Sequence, residues 1–505
     1  MHFRRLGRRQ YSGDQQTNIA QQASSGDITG AVNTVLQMPN LGTPNYATFA
    51  QTSNGALLDG DGDSGQVPWF ADGQFPFVQT ADVPVNATSG GWQKLPGSFE
   101  GFVMNTDLVI SKPDDVPPGG QPAVQPYYIT DQFDPQNVKR VIVCFPGKPR
   151  DSWKYANLFY NALQWVYNQN LYGIQQGEVV IVAPIVLNQF DEEAGGAEPN
   201  WAVYSNANWE FGGTTKAPKL NKSATFYSAV DKIIAQFMNQ TAYPNLKQVV
   251  VAGHSMGGQA AMRYALMKRR KRYDANIRFW IGNPGSYTWL LNDTRPVQNA
   301  TCDSTLNNYP YGLGGNMSKI PKYVRTNITQ NVSEWVENFR NRSVHYAFGL
   351  LDNGAGDTHC EASVQGANHL QRGTYFAQML SQMPGGFPAN HNVSFIAGIS
   401  HQDYPMIAAT ESMDFIFGSN YTTRLPDLYG PKQSHHKNES TQGPPPPTLP
   451  AQWESAVYRT IAWVLLAVSA GGMVIVFFIF YRLFTANSND WDRDYWEADS
   501  KHRLL

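Results

Sequence analysis

The chain has 505 residues, a length that suggests one large domain with appended segments. Hydrophobic residues make up 42% of it, enough for a sizeable core, and the formal net charge is only −2. So small a net charge gives no electrostatic case for nucleic acid as a partner.

Residues 1–66 are rich in Gln, Asn, Ser, Gly and Thr and have no sustained period, so we expect them to be disordered. The packed domain is expected over 67–428. Within it, six short β-branched runs alternate with longer amphipathic stretches. Such runs are typical of a parallel sheet buried on both faces, which predicts an α/β fold with a doubly wound, mostly parallel sheet. The runs are Val138–Cys144, Val179–Ala183, Gln248–Ala252, Ile277–Ile281, Val344–Leu350 and Val393–Ala397.

The sequence Gly-His-Ser-Met-Gly at 253–257 directly follows the run Gln248–Ala252. A GxSxG pattern alone is weak, but a strand before it and a helix after it are typical of a turn that exposes a nucleophilic serine. The small residues Gly253 and Gly257 allow so tight a crossing. The pattern predicts Ser255 as the nucleophile.

A serine hydroxyl needs a base, which in such a fold follows the last strand. His401 falls four residues past Ala397 and is the expected base. His369, just before a predicted helix, is the rival. His254 adjoins the nucleophile, and its side chain should point away from Ser255.

The acid that orients the base should follow the preceding strand. Asp352 comes directly after Val344–Leu350 and is the favoured acid. Asp357, in a glycine-rich loop, is the alternative, and one of the two aspartates is expected to be structural.

Backbone donors must also stabilise the oxyanion of a reacting carbonyl. One donor should be the N–H of Met256. The other should come from the loop FPGKPRDSW after the first core strand, where Gly147 precedes Lys148, the expected donor. Pro149 has no N–H, and Arg150 faces either the site or solvent.

From about Val138 to His401 the chain resembles the α/β-hydrolase superfamily, and more closely a largely uncharacterised group of fungal and bacterial serine hydrolase-like proteins. The resemblance implies a serine hydrolase mechanism with Ser255, Asp352 and His401. It implies no particular substrate, because this fold carries many chemistries. Pro146-Gly147 departs from the His-Gly that many such enzymes carry. The stretches concerned are FPGKPRDSW, VVIVAP, VVVAGHSMGGQAAMRYA, IRFWIGNPGSYTWL, YAFGLLD with GDTHCEASVQG, and FIAGISHQD.

An insertion over about 284–343 separates two of the predicted core strands. In this fold an insertion there covers the active site, so we expect a cap. Four of its aromatic residues could line a pocket or belong to the core. They are Tyr287, Trp289, Tyr309 and Tyr311.

Three cysteines occur, Cys144, Cys302 and Cys360. They have no metal-ligand spacing and form no CxxC, so the sequence predicts no metal and no cofactor. Cys144 lies in a predicted core strand and should be a buried thiol. Cys302 and Cys360 fall in predicted loops, and we expect them to pair in an oxidising compartment.

The segment 460–481 has 22 residues without a charged side chain. As a helix it would be about 33 Å long, enough for a hydrocarbon core of about 30 Å. We therefore expect a single transmembrane helix, and the lipid bilayer as a partner. A proline-rich stalk (429–459) should precede it and a short tail (482–505) should follow it.

Two patterns orient the predicted span. Basic residues concentrate after it, which favours a cytosolic C-terminus. Twelve N-x-S/T sequons lie before it and none after it, which favours a luminal or extracellular, glycosylated domain. They are at Asn86, Asn221, Asn239, Asn292, Asn299, Asn316, Asn327, Asn331, Asn341, Asn392, Asn420 and Asn438.

The basic N-terminus MHFRRLGRRQ disagrees with this topology, because no apolar stretch follows it as in a signal peptide. We expect the natural start to lie upstream. The alternative is a tail-anchored protein with a cytosolic domain.

Three functions fit these features. The first is a membrane-anchored serine hydrolase, a carboxylesterase that forms an acyl-enzyme with a small-molecule ester or acyl substrate. The second is an acyltransferase or peptidase with the same triad. The third is a non-catalytic cell-surface interaction protein on a hydrolase fold, which would have no need of a strained nucleophile turn.

Overall fold

The computed structural model describes residues 13–37, 83–86, 88, 90–99, 101–292, 294–297 and 299–418. All of them lie in the first of the two units into which the chain divides, Met1–Leu428. The predicted stalk, span and tail lie outside the described residues, as do Asn420 and Asn438.

The described strands are numbered in chain order: β1 Ser98–Phe99, β2 Phe102–Asn105, β3 Tyr127–Thr130, β4 Arg140–Phe145, β5 Val179–Pro184, β6 Leu187–Asn188, β7 Val203–Tyr204, β8 Thr215–Ala217, β9 Gln248–His254, β10 Ile277–Gly282, β11 Ser343–Gly349 and β12 His391–Ile396. Nine of them form one sheet in the order β1-β2-β3-β5-β4-β9-β10-β11-β12. From β5 to β12 all neighbours pair in parallel, while β1, β2 and β3 form an antiparallel edge. Strands β6, β7 and β8 form a small second sheet.

The described α-helices are α1 Gly13–Ser24, α2 Ile28–Leu36, α3 Ser152–Asn168, α4 Gln189–Ala194, α5 Phe226–Phe237, α6 Met256–Met267, α7 Arg325–Ile328, α8 Val332–Arg340, α9 Cys360–Ser363, α10 His369–Gln382, α11 Asp403–Ala408 and α12 Thr410–Ile416. They cover both faces of the large sheet. The side chains of α5, α6 and α10 belong to the core on one face, and those of α3, α11 and α12 to the core on the other.

Strand β9 illustrates why the core strands are apolar throughout. Val249 and Val251 belong to the core on one face, and Val250 and Ala252 to the core on the other. Because side chains alternate between faces, a strand covered on both sides needs an apolar residue at every position. The six predicted runs coincide with β4, β5, β9, β10, β11 and β12, which confirms the α/β class and the mostly parallel sheet.

The predicted fold class also included a transmembrane helix, and this part is corrected. Across the described part of the chain, no helix combines the length and the apolar character needed to cross a bilayer. The longest described helix, α3, has 17 residues and carries Lys154, Asn157 and Asn161. At about 26 Å it is shorter than a hydrocarbon core of about 30 Å. The segment 460–481, on which the predicted span and bilayer partner rest, lies outside the described residues.

The N-terminal segment also differs from its prediction. Residues 1–66 were expected to be disordered, yet 13–36 hold α1 and α2, with Asp27 capping α2 by accepting a hydrogen bond from the N–H of Gly30. Ile19, Val32 and Val35 are buried in the main core, where α1 packs against β12 and α2 against α10. So few apolar residues would not stabilise isolated helices, and the helices form because these side chains pack against the rest of the domain.

Candidate active site

Ser255 lies at a sharp turn between β9 and α6. Its backbone has φ +59° and ψ −124°, a conformation that L-residues rarely adopt. A Cβ atom at Gly253 would lie 2.1 Å from the carbonyl oxygen of Gly257, and one at Gly257 would lie 2.6 Å from that of Phe145. The turn therefore requires glycine on either side of Ser255, as the sequence predicted.

His401 reaches Ser255 from the loop after β12. Its Nε2 lies 2.9 Å from Ser255 Oγ, so the serine hydroxyl can donate to it. The imidazole retains 22% of its exposure, which leaves an approach for a small molecule. The turn itself is held by a hydrogen bond of 2.9 Å from the Ser255 N–H to the carbonyl of Gly282 in β10.

Asp352 holds the other nitrogen of His401. The Nδ1–H donates to Asp352 Oδ2 at 2.7 Å, and the carboxylate is fully buried. Burial alone would raise the pKa of Asp352, but the two imidazoles of His369 and His401 lower it well below its usual range. Burial would likewise lower the pKa of His401, and Asp352 raises it above its ordinary value.

The alternative acid, Asp357, lies in another network. Its Oδ2 accepts hydrogen bonds from Ser286 Oγ at 2.8 Å and from Tyr311 Oη at 2.9 Å, and its Oδ1 lies 2.6 Å from His359 Nδ1. The structure thus brings Asp352, and not Asp357, to His401. Asp357 joins the insertion to the loop after β11.

The rival base, His369, lies beside His401 and near the other oxygen of the same carboxylate. Its Nδ1 is 3.1 Å from Asp352 Oδ1, and its ring lies 4.2 Å from the ring of His401 at an interplanar angle of 30°. The two histidines that the sequence offered as alternatives therefore share one acid, and His401 is the one that contacts Ser255.

The loop after β4 approaches the start of α6, since Phe145 and Pro146 face Gly257. Gly147 is buried and Lys148 is exposed. The first N–H groups of a helix have no partner within it, so the N–H of Met256 is suited to receive negative charge.

Arg150, in the same loop, faces neither the site nor open solvent. Its guanidinium donates to both carboxylate oxygens of Asp191, at 3.1 and 2.9 Å. Asp191 is fully buried and also accepts from the N–H of Trp92 at 2.9 Å. This two-point contact between Arg150 and Asp191 fixes the end of the loop that follows β4.

A second charged cluster lies beside the triad, and sequence reasoning missed it. Asp403 Oδ2 lies 2.6 Å from Lys154 Nζ, and its Oδ1 lies 3.1 Å from His254 Nδ1. Burial would raise the pKa of Asp403, but Lys154 and His254 lower it well below its usual range. His254 is fully buried, with its ring 4.7 Å from that of His401. Nothing in the sequence signals this pairing, because Lys154 and Asp403 are far apart along the chain.

Asp352, His369 and His401 are close enough to be considered as metal ligands, with potential donor atoms within 4.8 Å of one another. The two imidazole rings are tilted by 30° to each other, and each has its Nδ1 beside an oxygen of the carboxylate. Tetrahedral coordination would need the three groups to converge on one point from different directions. The arrangement fits hydrogen bonding to Asp352 better than a shared ion.

The insertion packs on the helix that follows Ser255. Within it, α8 contacts α6, and the Arg342 guanidinium, just beyond α8, donates to the carbonyls of Ala265 and Lys268. Of the four aromatic residues considered for a pocket, Tyr287, Trp289 and Tyr309 are buried in the core instead of lining an open pocket. Whether the insertion covers the site as a cap stays a prediction.

Cys302 in the insertion forms a disulfide with Cys360 at the start of α9, and Cys144 is a buried thiol in β4. None of the ten sequon asparagines among the described residues is buried. Eight are exposed, and Asn86 and Asn299 are half-buried.

The strand–turn–serine–helix arrangement at the carboxyl end of a mostly parallel sheet is that of the α/β-hydrolase fold. The implied fold is therefore confirmed, while the narrower likeness to a fungal and bacterial group stays a prediction. No protein-family model and no curated sequence matches the chain.

Among solved structures, one similar chain is LpqC, a poly(3-hydroxybutyrate) depolymerase from Bordetella parapertussis, with 17% identity over 63% of this chain and 89% of that one, at a TM-score of 0.39. A second is poly(aspartic acid) hydrolase-1 from Sphingomonas sp. KT-1, with 13% identity over 58% and 93%, at 0.37. A third is the esterase Est22, with 11% identity over 62% and 77%, at 0.31.

Proposed function

We propose that this chain is a serine hydrolase that cleaves carboxylic esters of small molecules through an acyl-enzyme on Ser255. The observation that carries the proposal is the continuous hydrogen-bonded path from Ser255 Oγ to His401 Nε2, at 2.9 Å, and from His401 Nδ1 to Asp352 Oδ2, at 2.7 Å. A strained turn presents the serine, and strain of this kind persists where function requires it.

In the first half of the reaction, Ser255 Oγ attacks the ester carbonyl carbon while His401 Nε2 takes the hydroxyl proton. The carbonyl oxygen becomes an oxyanion. When the tetrahedral intermediate collapses, the bond to the alcohol oxygen breaks and His401 returns the proton to it. The alcohol leaves, and the acyl group remains on Ser255.

In the second half, a water molecule attacks the acyl carbon and gives a proton to His401. The bond to Ser255 Oγ breaks, the serine recovers its proton, and the carboxylic acid departs. Through both halves Asp352 stays ionised, keeps the His401 tautomer that has its proton on Nδ1, and stabilises the imidazolium. The lowered pKa of Asp352 and the raised pKa of His401 support these roles.

The oxyanion would be stabilised by the N–H of Met256 and by that of Lys148, or of Gly147 before it. The contact between the β4 loop and Gly257 supports this assignment, because it brings the two segments together. Such donors are fixed before the reaction and need no reorganisation when charge develops.

A fluorophosphonate probe tests the proposal on the full-length chain. We expect covalent labelling that is lost in Ser255→Ala and retained in the control Ser381→Ala, a half-buried position near the end of α10. Folded protein that resists labelling would contradict the enzyme proposal and favour an interaction protein. Release of alcohol from short acyl esters, compared with cleavage of peptides and acyl transfer to added amines, then separates an esterase from a peptidase or an acyltransferase.

We also propose that the domain folds in a luminal or extracellular compartment and carries N-linked glycans. The surface position of all ten described sequon asparagines and the Cys302–Cys360 disulfide support this. Treatment of the expressed chain with an N-glycosidase should increase its electrophoretic mobility. An unchanged mobility would contradict the proposal.

A further inference from the structure

His401 lies beside two other imidazoles. The ring of His369 is 4.2 Å from it on one side, and the ring of His254 is 4.7 Å from it on another. The proposed reaction uses only His401. His254 is accounted for by its contact with Asp403, so His369 is the group beside the triad without a role.

His369 and Asp352 meet through two atoms that have no other described partner. The Nδ1 of His369 and the Oδ1 of Asp352 are both buried and lie 3.1 Å apart, and neither makes a hydrogen bond of ordinary geometry in the described chain. The approach is less well aligned than that of His401, which donates to the other oxygen at 2.7 Å. Asp352 is thus placed between two imidazole nitrogens.

The position of His369 is fixed by the backbone around the acid. The N–H of His369 donates to the carbonyl of Gly354 at 3.0 Å, and the N–H of Leu370 donates to the carbonyl of Asp352 at 3.1 Å. A Cβ atom at Gly356 would lie 2.5 Å from His369 Nε2, so the ring is confined on its other side as well. The start of α10 and the acid loop therefore form one unit.

We propose that His369 is a positioning residue of the proposed reaction, which donates from Nδ1 to Asp352 and thereby orients the carboxylate and limits how strongly it raises the basicity of His401. This inference rests on the proposed function. It assigns to His369 the tautomer with the proton on Nδ1, in which Nε2 carries none.

The charged surroundings set the direction of the effect. Asp352, His369, His254 and Asp403 face His401, and Lys154 neutralises Asp403 from the opposite side. Burial, the neighbouring His401 and Arg372 on the same helix lower the pKa of His369, while Asp352 opposes them. Removal of the Nδ1–H donor leaves more of the Asp352 charge for His401, so the pKa of His401 should rise.

Two substitutions test this through the pH dependence of labelling at Ser255. Phenylalanine keeps a ring but has no donor, whereas asparagine places an amide N–H near the position of Nδ1. We expect His369→Phe to move the acid limb of the profile upward by about half a pH unit or more, which is about a threefold loss of rate at low pH with little change at high pH. In His369→Asn the acid limb of the profile should lie at the same pH as in the natural protein.

A purely structural role would lower the rate equally at every pH in both variants, and an unmoved acid limb in a folded His369→Phe would overturn the proposal. A second measurement needs neither turnover nor the variant. Histidine ¹⁵N spectra of the natural chain near pH 8 should show His369 protonated on Nδ1, and a proton on Nε2 would also overturn it. If Ser255 fails to react while His369 carries its proton on Nδ1, the proposed function fails and the contact with Asp352 stands.

Discussion

Lys154 and Asp403 form an ion pair of 2.6 Å across 249 positions of sequence. Lys154 lies in the first turn of α3, just after the loop proposed to bind the oxyanion, and Asp403 lies two residues after the proposed base. The pair therefore ties together two loops of the site. Its side chains are 11% and 12% exposed, so removal of one partner leaves the other charge with little water.

We expect Asp403→Asn to lower the free energy of unfolding by about 3 kcal/mol, because Lys154 would lose its nearest counter-ion and keep only the carboxylate of Asp151, 4.0 Å away. The double variant Lys154→Met, Asp403→Leu removes both charges of the pair and should recover part of this loss, since the buried Asp151 then loses the nearby ammonium. Urea unfolding monitored by tryptophan fluorescence measures both. Equal stability of the single and double variants would argue against a buried pair.

The choice of acid can be tested by a matched pair of substitutions. Asp352→Asn should lower the rate of ester cleavage by about 10⁴-fold, since the amide favours the wrong tautomer of His401. Asp357→Asn breaks contacts to Ser286 and Tyr311 and should leave the rate within a few-fold. Initial rates with a chromogenic acetate ester give the comparison. Similar losses in both variants would contradict the assignment of Asp352.

Buried histidines should make the fold sensitive to acid. Burial lowers the pKa of His345 and of His391 to about 3, whereas an unfolded histidine has a pKa of about 6.5. Below the latter value the unfolded chain binds more protons than the folded one. The stability that these groups contribute is therefore present above about pH 6.5 and is lost as the pH falls toward 3.

Replacement of one such histidine should flatten this dependence. His345→Phe keeps an aromatic ring beside Phe415, whose ring lies 4.8 Å away, and removes the titrating group. We expect a smaller loss of unfolding free energy between pH 7 and pH 4 than in the natural chain, measured by urea unfolding at each pH.

The Cys302–Cys360 disulfide closes a loop with a sequence separation of 58 residues. Its removal in the double variant Cys302→Ala, Cys360→Ala should lower the free energy of unfolding by about 2–4 kcal/mol, because the unfolded chain gains freedom. A reductant should destabilise the natural chain by a similar amount and leave the double variant unaffected. A reductant effect of equal size in both would point to another cause.

Much of the fold could be predicted because burial on both faces of a sheet imposes a continuous apolar run on each core strand. The antiparallel strand β3, Tyr127–Thr130, was missed because four residues beside proline and glycine give too short a pattern. The turn at Ser255 was visible because only glycine fits at Gly253 and Gly257. Asp352 and His401 were predicted because the acid and the base of such a site follow the ends of core strands. The structure brings both residues to Ser255.

The contacts of His369 and Asp403 could not be predicted from the sequence. They depend on which strands lie next to each other in the sheet, and therefore on which loops meet at its edge. His369 appeared only as a competing base, because sequence position cannot show two imidazoles on one carboxylate. The two N-terminal helices were missed for a related reason. Their composition resembles that of a disordered segment, and their order comes from the surface that receives them.

One contact of those helices links the beginning of the domain to its end. The side chain of Gln16, buried in α1, accepts a hydrogen bond of 2.8 Å from the N–H of Gly398, three residues before His401. During synthesis, residue 16 leaves the ribosome hundreds of residues before residue 398 does. The loop that carries His401 can make this contact only after the whole domain has been translated. A nascent chain would therefore contain Ser255 well before the serine could react.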